Sequence, residues 1–157
     1  MLRLNLIVVD RSFVAANQRE LARMRALVSR LSDQELGAMV NRHWSVAGVL
    51  GHIAFWDGRA LYFARKLQRG EPFTASDNEP EDVDWINDSS RPLIHAIAPR
   101  DLADLAVRIA GETDELVASL PDDLLARLDE NSPLNPVRAG HRSEHLDEIE
   151  PAIRPRA

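Results

Sequence analysis

Two histidines stand four residues apart in the segment Gly140-His141-Arg142-Ser143-Glu144-His145-Leu146-Asp147-Glu148-Ile149. On an α-helix, residues at this spacing lie on one face with Cβ atoms about 5–6 Å apart, so His141 and His145 can bind the same ion. Because metal sites in proteins seldom have only two protein ligands, a third is expected elsewhere. We predict that His52 is this ligand, since it lies at the inward margin of the apolar face of another predicted helix.

Three imidazoles would leave the fourth position of a tetrahedral ion open, as in catalytic zinc sites. The ion would lower the pKa of a water there to about 7 in favourable cases, which makes a nucleophile at neutral pH. Asp57 and Glu144 are candidates for accepting a hydrogen bond from a ligand imidazole and so orienting its ring. A histidine pair on a solvated helix is also common without a metal, and a single histidine such as His52 is more often a packed residue. The inward position of all three favours the metal site.

The composition is that of a folded chain and restricts the ligand chemistry. The 157 residues are 45% apolar, and a chain of this length buries roughly 68–70% of its unfolded surface. We therefore expect a single domain over 1–157, with 1–11 as an extension of uncertain structure. The absence of cysteine excludes disulfides and thiolate ligands, so a metal must be bound by nitrogen or oxygen, and it fits a cytoplasmic protein.

The charge pattern argues against two classes of partner. The chain has 25 acidic and 19 basic residues, a net charge of −6, and no cluster of basic residues of the kind that binds nucleic acid. No apolar run is long enough for a helix that spans a membrane. The apolar segment Leu2-Arg3-Leu4-Asn5-Leu6-Ile7-Val8-Val9 is too short and too interrupted for a secretory signal. We expect neither a nucleic acid nor a membrane as partner.

Apolar residues at helical spacing predict four principal helices. Their expected bounds are about 12–31, 45–69, 99–120 and 137–150. Ser45 is a suitable N-cap for the second helix and Gly70 a suitable C′ residue, while Pro99 fits the first position of the third helix, which Pro121 stops. The inward line of the third helix is Leu102, Leu105, Ile109, Leu116 and Leu120, and that of the fourth is Val137, His141, His145 and Ile149.

The connections carry weaker signals. Ser32 and Glu35 have the spacing of a capping box, which predicts a short helix ending near Val40. Residues 71–91 are predicted to form a long acidic loop with a turn of helix around Trp85. Loops longer than about 12–15 residues are often functional, so this one can supply substrate contacts, although a solvated loop is the simpler interpretation. Short helical turns are expected at 93–98 and 122–128, an extended segment or an early helical turn at 2–9, and an end to the last helix at Pro151 and Pro155.

Four amphipathic helices without a convincing sheet predict an all-α protein with the architecture of a four-helix bundle. His52 can meet the histidine pair only if the second and fourth helices are neighbours. If the imidazole of His52 lay more than about 10 Å from the pair, no single ion could join them. The other two histidines, His43 and His95, lie in predicted connections and are expected to face solvent. Trp44, Phe55 and Trp56 are expected at the core or its rim, and Trp56, one turn from His52, is able to line a pocket.

Two segments resemble a known family. Trp44-Ser45-Val46-Ala47-Gly48-Val49-Leu50-Gly51-His52-Ile53-Ala54-Phe55-Trp56-Asp57 is similar to the helix-two motif of the DinB-like superfamily, four-helix bundles related to the metal-binding domain of mycothiol-dependent maleylpyruvate isomerase. The segment His141–Ile149 resembles the histidine pair of its fourth helix. Asn87 after Trp85 and the step Leu120-Pro121-Asp122-Asp123-Leu124 are similar as well.

The resemblance implies a DinB-like bundle that holds a divalent ion, often zinc or nickel, through residues at the positions of His52, His141 and His145. Family members with an assigned reaction include thiol-dependent transferases and isomerases that use mycothiol or bacillithiol. The chain departs from the family in its N-terminal apolar extension and in Gly140. It also lacks the additional domain of the isomerase, which argues against isomerase activity itself.

Three functions are therefore compatible with the sequence. The leading hypothesis is a metal-dependent S-transferase, in which a thiol attacks a small electrophilic molecule. A metal-dependent hydrolase and a non-catalytic, metal-stabilised binding or stress-response protein are the alternatives. A pocket that opens onto the histidines would favour catalysis, and a fourth side chain closing the site would favour the structural role. A homodimer is also plausible.

One motif suggests a peptidase. His141-x-x-Glu144-His145 matches the inverted zincin pattern, in which the glutamate is the catalytic base. Those peptidases take a further carboxylate ligand from far downstream, whereas only 12 residues follow His145. The short remainder argues against this hypothesis.

Overall fold

The computed structural model describes residues 8–154, which form helices and no strand. The helices are α1 (Ser12–Arg30), α2 (Asp33–Leu36), α3 (Val46–Gln68), α4 (Asp84–His95), α5 (Pro99–Ser119), α6 (Asp122–Leu125) and α7 (Ala139–Ile153), with a 3-10 turn at Ala75–Asp77. The predicted all-α class is thereby confirmed. Of the predictions for 2–9, the part covering 2–7 lies outside the described residues, as does Pro155. Between residues 8 and 154, no helix is both long and apolar enough to cross a membrane.

The four long helices α1, α3, α5 and α7 form the predicted bundle. α3 packs most extensively on α5, and α1 packs on both α5 and α7. α7 closes the arrangement by packing on α3 as well. The main apolar core lies between these helices and includes Met24, Leu50, Ile53, Ala106 and Leu146. The bundle therefore makes α3 and α7 neighbours, as a site shared between their histidines requires.

The face that α5 turns towards α3 differs from the prediction. Leu102 and Leu120 are buried as expected, but Leu105, Ile109 and Leu116 are only half-buried. The fully enclosed positions belong to small residues, Ala103, Ala106 and Ala110. Small side chains occupy the closest contact because they allow two helix backbones to approach, and the larger residues then pack at the sides of that contact.

Gly51 of α3 shows the same close approach. A Cβ atom at this position would lie 2.6 Å from Cγ2 of Ile94 and 2.8 Å from Cδ2 of Leu102. Both distances are shorter than real carbon–carbon contacts, so only glycine lets α4 and α5 pack this tightly on α3. This packing holds α3 in place one residue before His52.

Both ends of α3 are formed by the residues that the sequence indicates. The hydroxyl of Ser45 accepts a hydrogen bond of 3.0 Å from the amide of Gly48. At the other end Gly70 has φ of 72°, its amide donates to the carbonyl of Leu67, and the amide of Glu71 donates to the carbonyl of Lys66. This pair of bonds is a Schellman motif, in which glycine adopts a left-handed conformation at little cost.

The capping box of Ser32 and Glu35 is present, but the helix it opens is shorter than predicted. α2 ends at Leu36 and not near Val40. The following residues make a tight reversal instead, in which the amide of Val40 donates to the carbonyl of Trp44 at 2.9 Å. Because the amide of Val40 is bonded across this reversal, it is not available to continue the helix.

The predicted loop over 71–91 ends earlier than expected. α4 begins at Asp84 and continues to His95, so the loop is confined to 71–83 and the expected short helix at 93–98 is the end of a longer one. The inward positions of this stretch follow helical spacing, but polar residues occupy several of them. They are Val83, Ile86, Asn87, Ser90 and Ile94. A search for apolar residues alone therefore misses the helix.

α7 is shifted towards the C-terminus relative to the prediction. It begins at Ala139, and Val137 precedes the helix with 46% of its surface exposed, so it is not part of the inward line. Pro151 does not end the helix, which continues to Ile153. The residues that face the core are Arg142, Leu146 and Ile149. The histidine pair lies beside this line and not on it.

Arg142 forms the centre of a cluster of buried charges. Its Nε lies 2.8 Å from Oδ2 of Asp57, and its two terminal nitrogens lie 2.9 and 2.8 Å from the carboxylate oxygens of Asp114. Arg138 donates to the other oxygen of Asp57 at 2.8 Å. Burial raises the pKa of Asp114, which the charge of Arg142 opposes. These four residues, the buried charge cluster, connect α3 and α5 to α7 and to the residue before it.

Asn17 of α1 caps the start of α7. Its side-chain oxygen accepts hydrogen bonds of 2.8 and 3.0 Å from the amides of Arg138 and Ala139, and its amide donates to the carbonyl of Pro136. The first amides of a helix have no acceptor within the helix. The acceptor is normally the side chain of a residue directly before the helix. Here the cap comes from another helix, so α7 is fixed to α1 at its first turn.

Candidate metal centre

The three predicted histidines converge between α3 and α7. One nitrogen from each of His52, His141 and His145 can be chosen so that all lie within 4.8 Å of one another. The Nε2 atoms of His52 and His141 are 3.3 Å apart. The ring centroids of His52 and His145 are separated by 4.6 Å, and so are those of His141 and His145. All these distances are well below the limit of about 10 Å beyond which one ion could not join the rings.

This geometry fits a small divalent ion. With zinc–nitrogen bonds of about 2.0–2.1 Å, two nitrogens in a tetrahedral arrangement lie about 3.3–3.4 Å apart. The 3.3 Å between the Nε2 atoms of His52 and His141 matches this spacing. Neutral imidazoles are also suitable ligands for zinc and nickel. The three histidines could therefore hold such an ion.

Burial keeps two of the rings neutral. Burial, together with a smaller effect of His145, lowers the pKa of His52 to about 4. Burial likewise lowers the pKa of His141 to about 3, with smaller effects from His145 and Arg138. Because a metal ion binds only the deprotonated nitrogen, rings that are already neutral at pH 7 do not have to lose a proton first.

Glu148 is bonded to one of the three candidate ligand rings. Its Oε2 lies 3.0 Å from Nδ1 of His145, which leaves Nε2 of that ring for an ion. The prediction had assigned this role to Asp57 or Glu144. Both oxygens of Asp57 instead accept from Arg138 and Arg142, and Glu144 is exposed. The sequence contains the signal, since Glu148 stands three residues after His145 on the same helix.

His141 is left incompletely satisfied by the protein. Its Nδ1 is buried and has no hydrogen-bond partner, and among the described residues it is the one buried side-chain nitrogen or oxygen in this state. An unsatisfied buried polar atom costs about 1–3 kcal/mol. The histidine cluster therefore contains a buried nitrogen to which the surrounding described residues supply no hydrogen-bond partner.

A cleft of about 820 Å³ opens onto the three histidines. Trp44 and Trp56 form aromatic walls, with ring centroids 5.6 and 6.4 Å from that of His52. The indole of Trp56 is held by a hydrogen bond of 3.0 Å to Asn87 of α4. The rest of the lining is largely polar and includes Asn41, Arg59, Asn78, Glu79, Asn131, Ser132, Asn135 and Arg138. Trp56 lines a pocket as predicted, and the loop over 71–83 contributes to it through Asn78 and Glu79.

The remaining aromatic and histidine predictions have mixed outcomes. His43 is exposed as expected. His95 is exposed too, but it is the last residue of α4 and not part of a connection, and its ring packs edge-on against Trp44 at 5.4 Å. Phe55 lies at the rim with 40% of its surface exposed. Neither His43 nor His95 belongs to the group of residues that could hold an ion.

Comparison with known proteins gives a match to a family model. No curated protein and no solved structure gives a significant match to the chain. The family model of the DinB superfamily matches residues 16–146, a range that includes all three histidines, Asp57 and Arg142. Since the match covers most of the sequence and the fold is an all-α bundle, the chain belongs to the DinB superfamily.

Proposed function

We propose that this protein binds a divalent ion, zinc or nickel, through His52, His141 and His145, and that it catalyses transfer of a low-molecular-weight thiol to a small electrophilic molecule. The observation that carries the proposal is the convergence of three imidazoles, two of them held neutral by burial, on the wall of an open cleft. The cleft is large enough for a small-molecule substrate, since typical ligand pockets measure about 300–1,000 Å³.

The composition of the site supports a catalytic role over a purely structural one. Structural zinc sites are closed by four protein ligands, whereas catalytic sites keep a position open. Within residues 8–154 the histidine group has three members, and all three line the cleft. When bound, a divalent ion supplies Lewis acidity, which lowers the pKa of a thiol or a water beside it.

The charge balance also favours an anionic partner such as a thiol. Three neutral imidazoles do not offset the two positive charges of the ion. The nearby carboxylate of Glu148 is shared with His145 and has 43% of its side chain exposed, so it compensates only in part. A thiol that loses its proton on binding would supply a further negative charge.

The surrounding residues have roles that do not depend on the ion. Glu148 fixes the ring of His145, and the packing of α4 and α5 around Gly51 fixes the backbone next to His52. Trp44 and Trp56 exclude water from one side of the cleft and offer flat surfaces to a ligand. Other lining residues, such as Asn78 and Asn131, could present amide donors and acceptors to its polar groups.

The first test is metal content. Purified protein is analysed for bound metals beside His145→Ala, with His43→Ala as matched control because His43 is exposed and outside the cluster. We expect zinc or nickel in the parent protein and in the control, and a large loss in His145→Ala. Equal metal content in all three would contradict the proposed site.

The second test concerns the reaction. The metal-loaded protein is incubated with a thiol and an electrophile such as monobromobimane, and the disappearance of free thiol is measured against His145→Ala. Thiol consumption that requires the metal supports the transferase. A metal-loaded protein that consumes none of the low-molecular-weight thiols but cleaves ester or amide substrates would instead be a hydrolase, and one inactive in both assays would be a metal-stabilised binding protein.

A further inference from the structure

The guanidinium of Arg138 has hydrogen-bond donors for which the described part of the chain supplies no acceptor. Its Nε donates to Asp57 at 2.8 Å, but neither Nη1 nor Nη2 bonds to any residue in the described part of the chain. The one buried side-chain atom without a partner in that part is Nδ1 of His141, so the terminal nitrogens of Arg138 are in contact with solvent. The side chain is 12% exposed and lines the cleft, three residues before His141.

The two neighbouring arginines differ in this respect. Every guanidinium nitrogen of Arg142 is bonded to Asp57, to Asp114 or to backbone carbonyls. Arg59 also lines the cleft, but both its terminal nitrogens are bonded, to Glu79 and to backbone carbonyls. Two arginines therefore line the cleft, and Arg138 is the one whose terminal nitrogens are not bonded to any residue between 8 and 154.

We propose that Arg138 is the anion-recognition residue of the cleft, and that the ligand bound beside the three histidines carries a carboxylate group. This inference rests on the proposed function, because it describes a ligand of the same cleft. A guanidinium presents parallel N–H donors whose spacing matches the two oxygens of a carboxylate, and such paired, charge-assisted bonds are among the strongest in proteins.

The buried charge cluster prepares Arg138 for this role. Asp57, which is fully buried, holds Nε of Arg138 with one oxygen and Nε of Arg142 with the other. The backbone amide of Arg138 is bonded to Asn17. The guanidinium is thus fixed at its base with its terminal nitrogens directed to solvent in the cleft, so little side-chain freedom is lost when a ligand binds.

The acidic residues of the cleft do not occupy the position that a ligand carboxylate would take. Glu79 is paired with Arg59 at 3.0 Å, and Glu148 is bonded to His145. Glu130 is exposed and makes no ion pair with Arg138. A ligand carboxylate therefore has an available partner in Arg138 without displacing a carboxylate of the protein.

The test compares two thiols that differ in charge. Zinc-loaded protein is titrated by calorimetry with 3-mercaptopropionate and with its methyl ester, for the parent protein, Arg138→Gln, Arg138→Lys and the control Arg59→Gln. We expect Arg138→Gln to weaken binding of the acid about tenfold or more while changing that of the ester less than about twofold. Arg138→Lys, which retains a charge beside Asp57 but not the paired donors, should lie in between. Arg59→Gln should leave the preference for the acid intact.

A second arm does not depend on the ion or on a thiol. The metal-free protein is titrated with glutarate, and chemical-shift changes of the cleft residues are followed by NMR in the parent protein and in Arg138→Lys. Saturable changes in the parent protein that need a higher glutarate concentration in Arg138→Lys support the inference. If glutarate binds in this way but neither thiol binds the zinc-loaded protein, the thiol function fails and the anion site stands. If the acid and the ester respond equally to Arg138→Gln, or glutarate binding is unaffected by Arg138→Lys, the inference is overturned.

Discussion

Arg142 and His141 are consecutive residues of α7 and belong to two clusters with opposite properties. Within the buried charge cluster, every guanidinium nitrogen of Arg142 and all four carboxylate oxygens of Asp57 and Asp114 have a partner. The terminal nitrogens of Arg138, at the edge of the cluster, have none among the described residues. The histidine cluster beside it contains a buried nitrogen with no partner, and its rings have nitrogens that face one another at 3.3 Å. α7 thus contributes to two clusters. In the saturated cluster the polar atoms around Arg142 have hydrogen-bond partners, and in the unsaturated cluster Nδ1 of His141 has none among the described residues.

We infer from this contrast that polar residues with a full set of hydrogen-bond partners stabilise the fold, whereas those without one are available to a ligand. A buried ion pair is tolerated only when hydrogen bonds satisfy its atoms, and such a group then holds helices in one arrangement. In the histidine cluster the facing Nε2 atoms of His52 and His141 are available to an ion, whereas the unpartnered Nδ1 of His141 carries a cost of folding that an ion at Nε2 would leave in place. On this basis we infer that Arg142 positions α7, whereas the histidine rings between α3 and α7 are available to a ligand.

The largest effect is expected from breaking the saturated cluster. Arg142→Met removes the partner of Asp114 and one of the two partners of Asp57, which leaves buried carboxylates uncompensated. The free energy of unfolding should fall by about 3–5 kcal/mol, measured by urea denaturation with the metal removed. Arg127→Met is the control, since its pair with Asp123 is exposed and should change stability by less than about 1 kcal/mol. A similarly small change for Arg142→Met would show that the cluster is not structural.

The unsaturated cluster should instead respond to metal. Zinc at one hundred times its dissociation constant should raise the free energy of unfolding of the parent protein by about 2.7 kcal/mol, since the ion binds the folded state. His145→Ala should show little of this gain, and His43→Ala should retain it. The measurement is urea unfolding with and without zinc. A full gain in His145→Ala would place the ion elsewhere.

Glu148 tests whether the orienting hydrogen bond matters. Glu148→Gln should weaken zinc binding about 10–100-fold, because the ring of His145 loses a carboxylate acceptor, while the stability of the metal-free protein stays nearly unchanged. Zinc affinity is measured by competition with a chromophoric chelator. Glu144→Gln, which changes an exposed residue one position before His145, is the matched control and should bind zinc as the parent does. An equal loss in both variants would point to net charge and not to the hydrogen bond.

The smallest effect, and one of opposite sign to Arg142→Met, is expected at His141 in the absence of metal. His141→Leu removes a buried nitrogen that has no partner and replaces it with an apolar group. The free energy of unfolding in a chelator should be unchanged or higher by about 1 kcal/mol. A loss as large as that of Arg142→Met would mean that the imidazole is needed for packing, and the distinction between the two clusters would fail.

The histidine cluster could be predicted because its signals are local. The spacing of His141 and His145 places them on one helical face, and the inward margin of His52 follows from the apolar pattern of a single helix. That α3 and α7 are neighbours does not follow from the bundle architecture alone, and the structure was needed to show it. The role of Glu148 was missed although its spacing from His145 is equally local. That the histidines bind metal in solution, and that the protein forms a homodimer, stay predictions.

The buried charge cluster was harder to predict because each member is a charged residue that interrupts the apolar pattern of its own helix. Asp57 stands four residues after the buried Ile53, Asp114 four after Ala110, and Arg142 four before Leu146. The sequence therefore shows that these charged residues lie on the core-facing side of their helices. Which acid meets which base is not, because that depends on how three separate helices are packed. α4 was missed for a related reason, since Asn87 and Ser90 occupy inward positions that apolar periodicity does not count.

The cap that Asn17 provides has a consequence for the order of folding. The first amides of the helix that bears the histidine pair are satisfied by a side chain 121 and 122 positions away along the chain. A loop of that length must close before the helix has a properly terminated start, so its formation is coupled to a non-local contact. The proposed metal site needs His52 of α3 and the histidine pair of α7 together, so a nascent fragment containing His52 alone would not form it. Metal uptake at this site would therefore be a late event that reports assembly of the whole bundle.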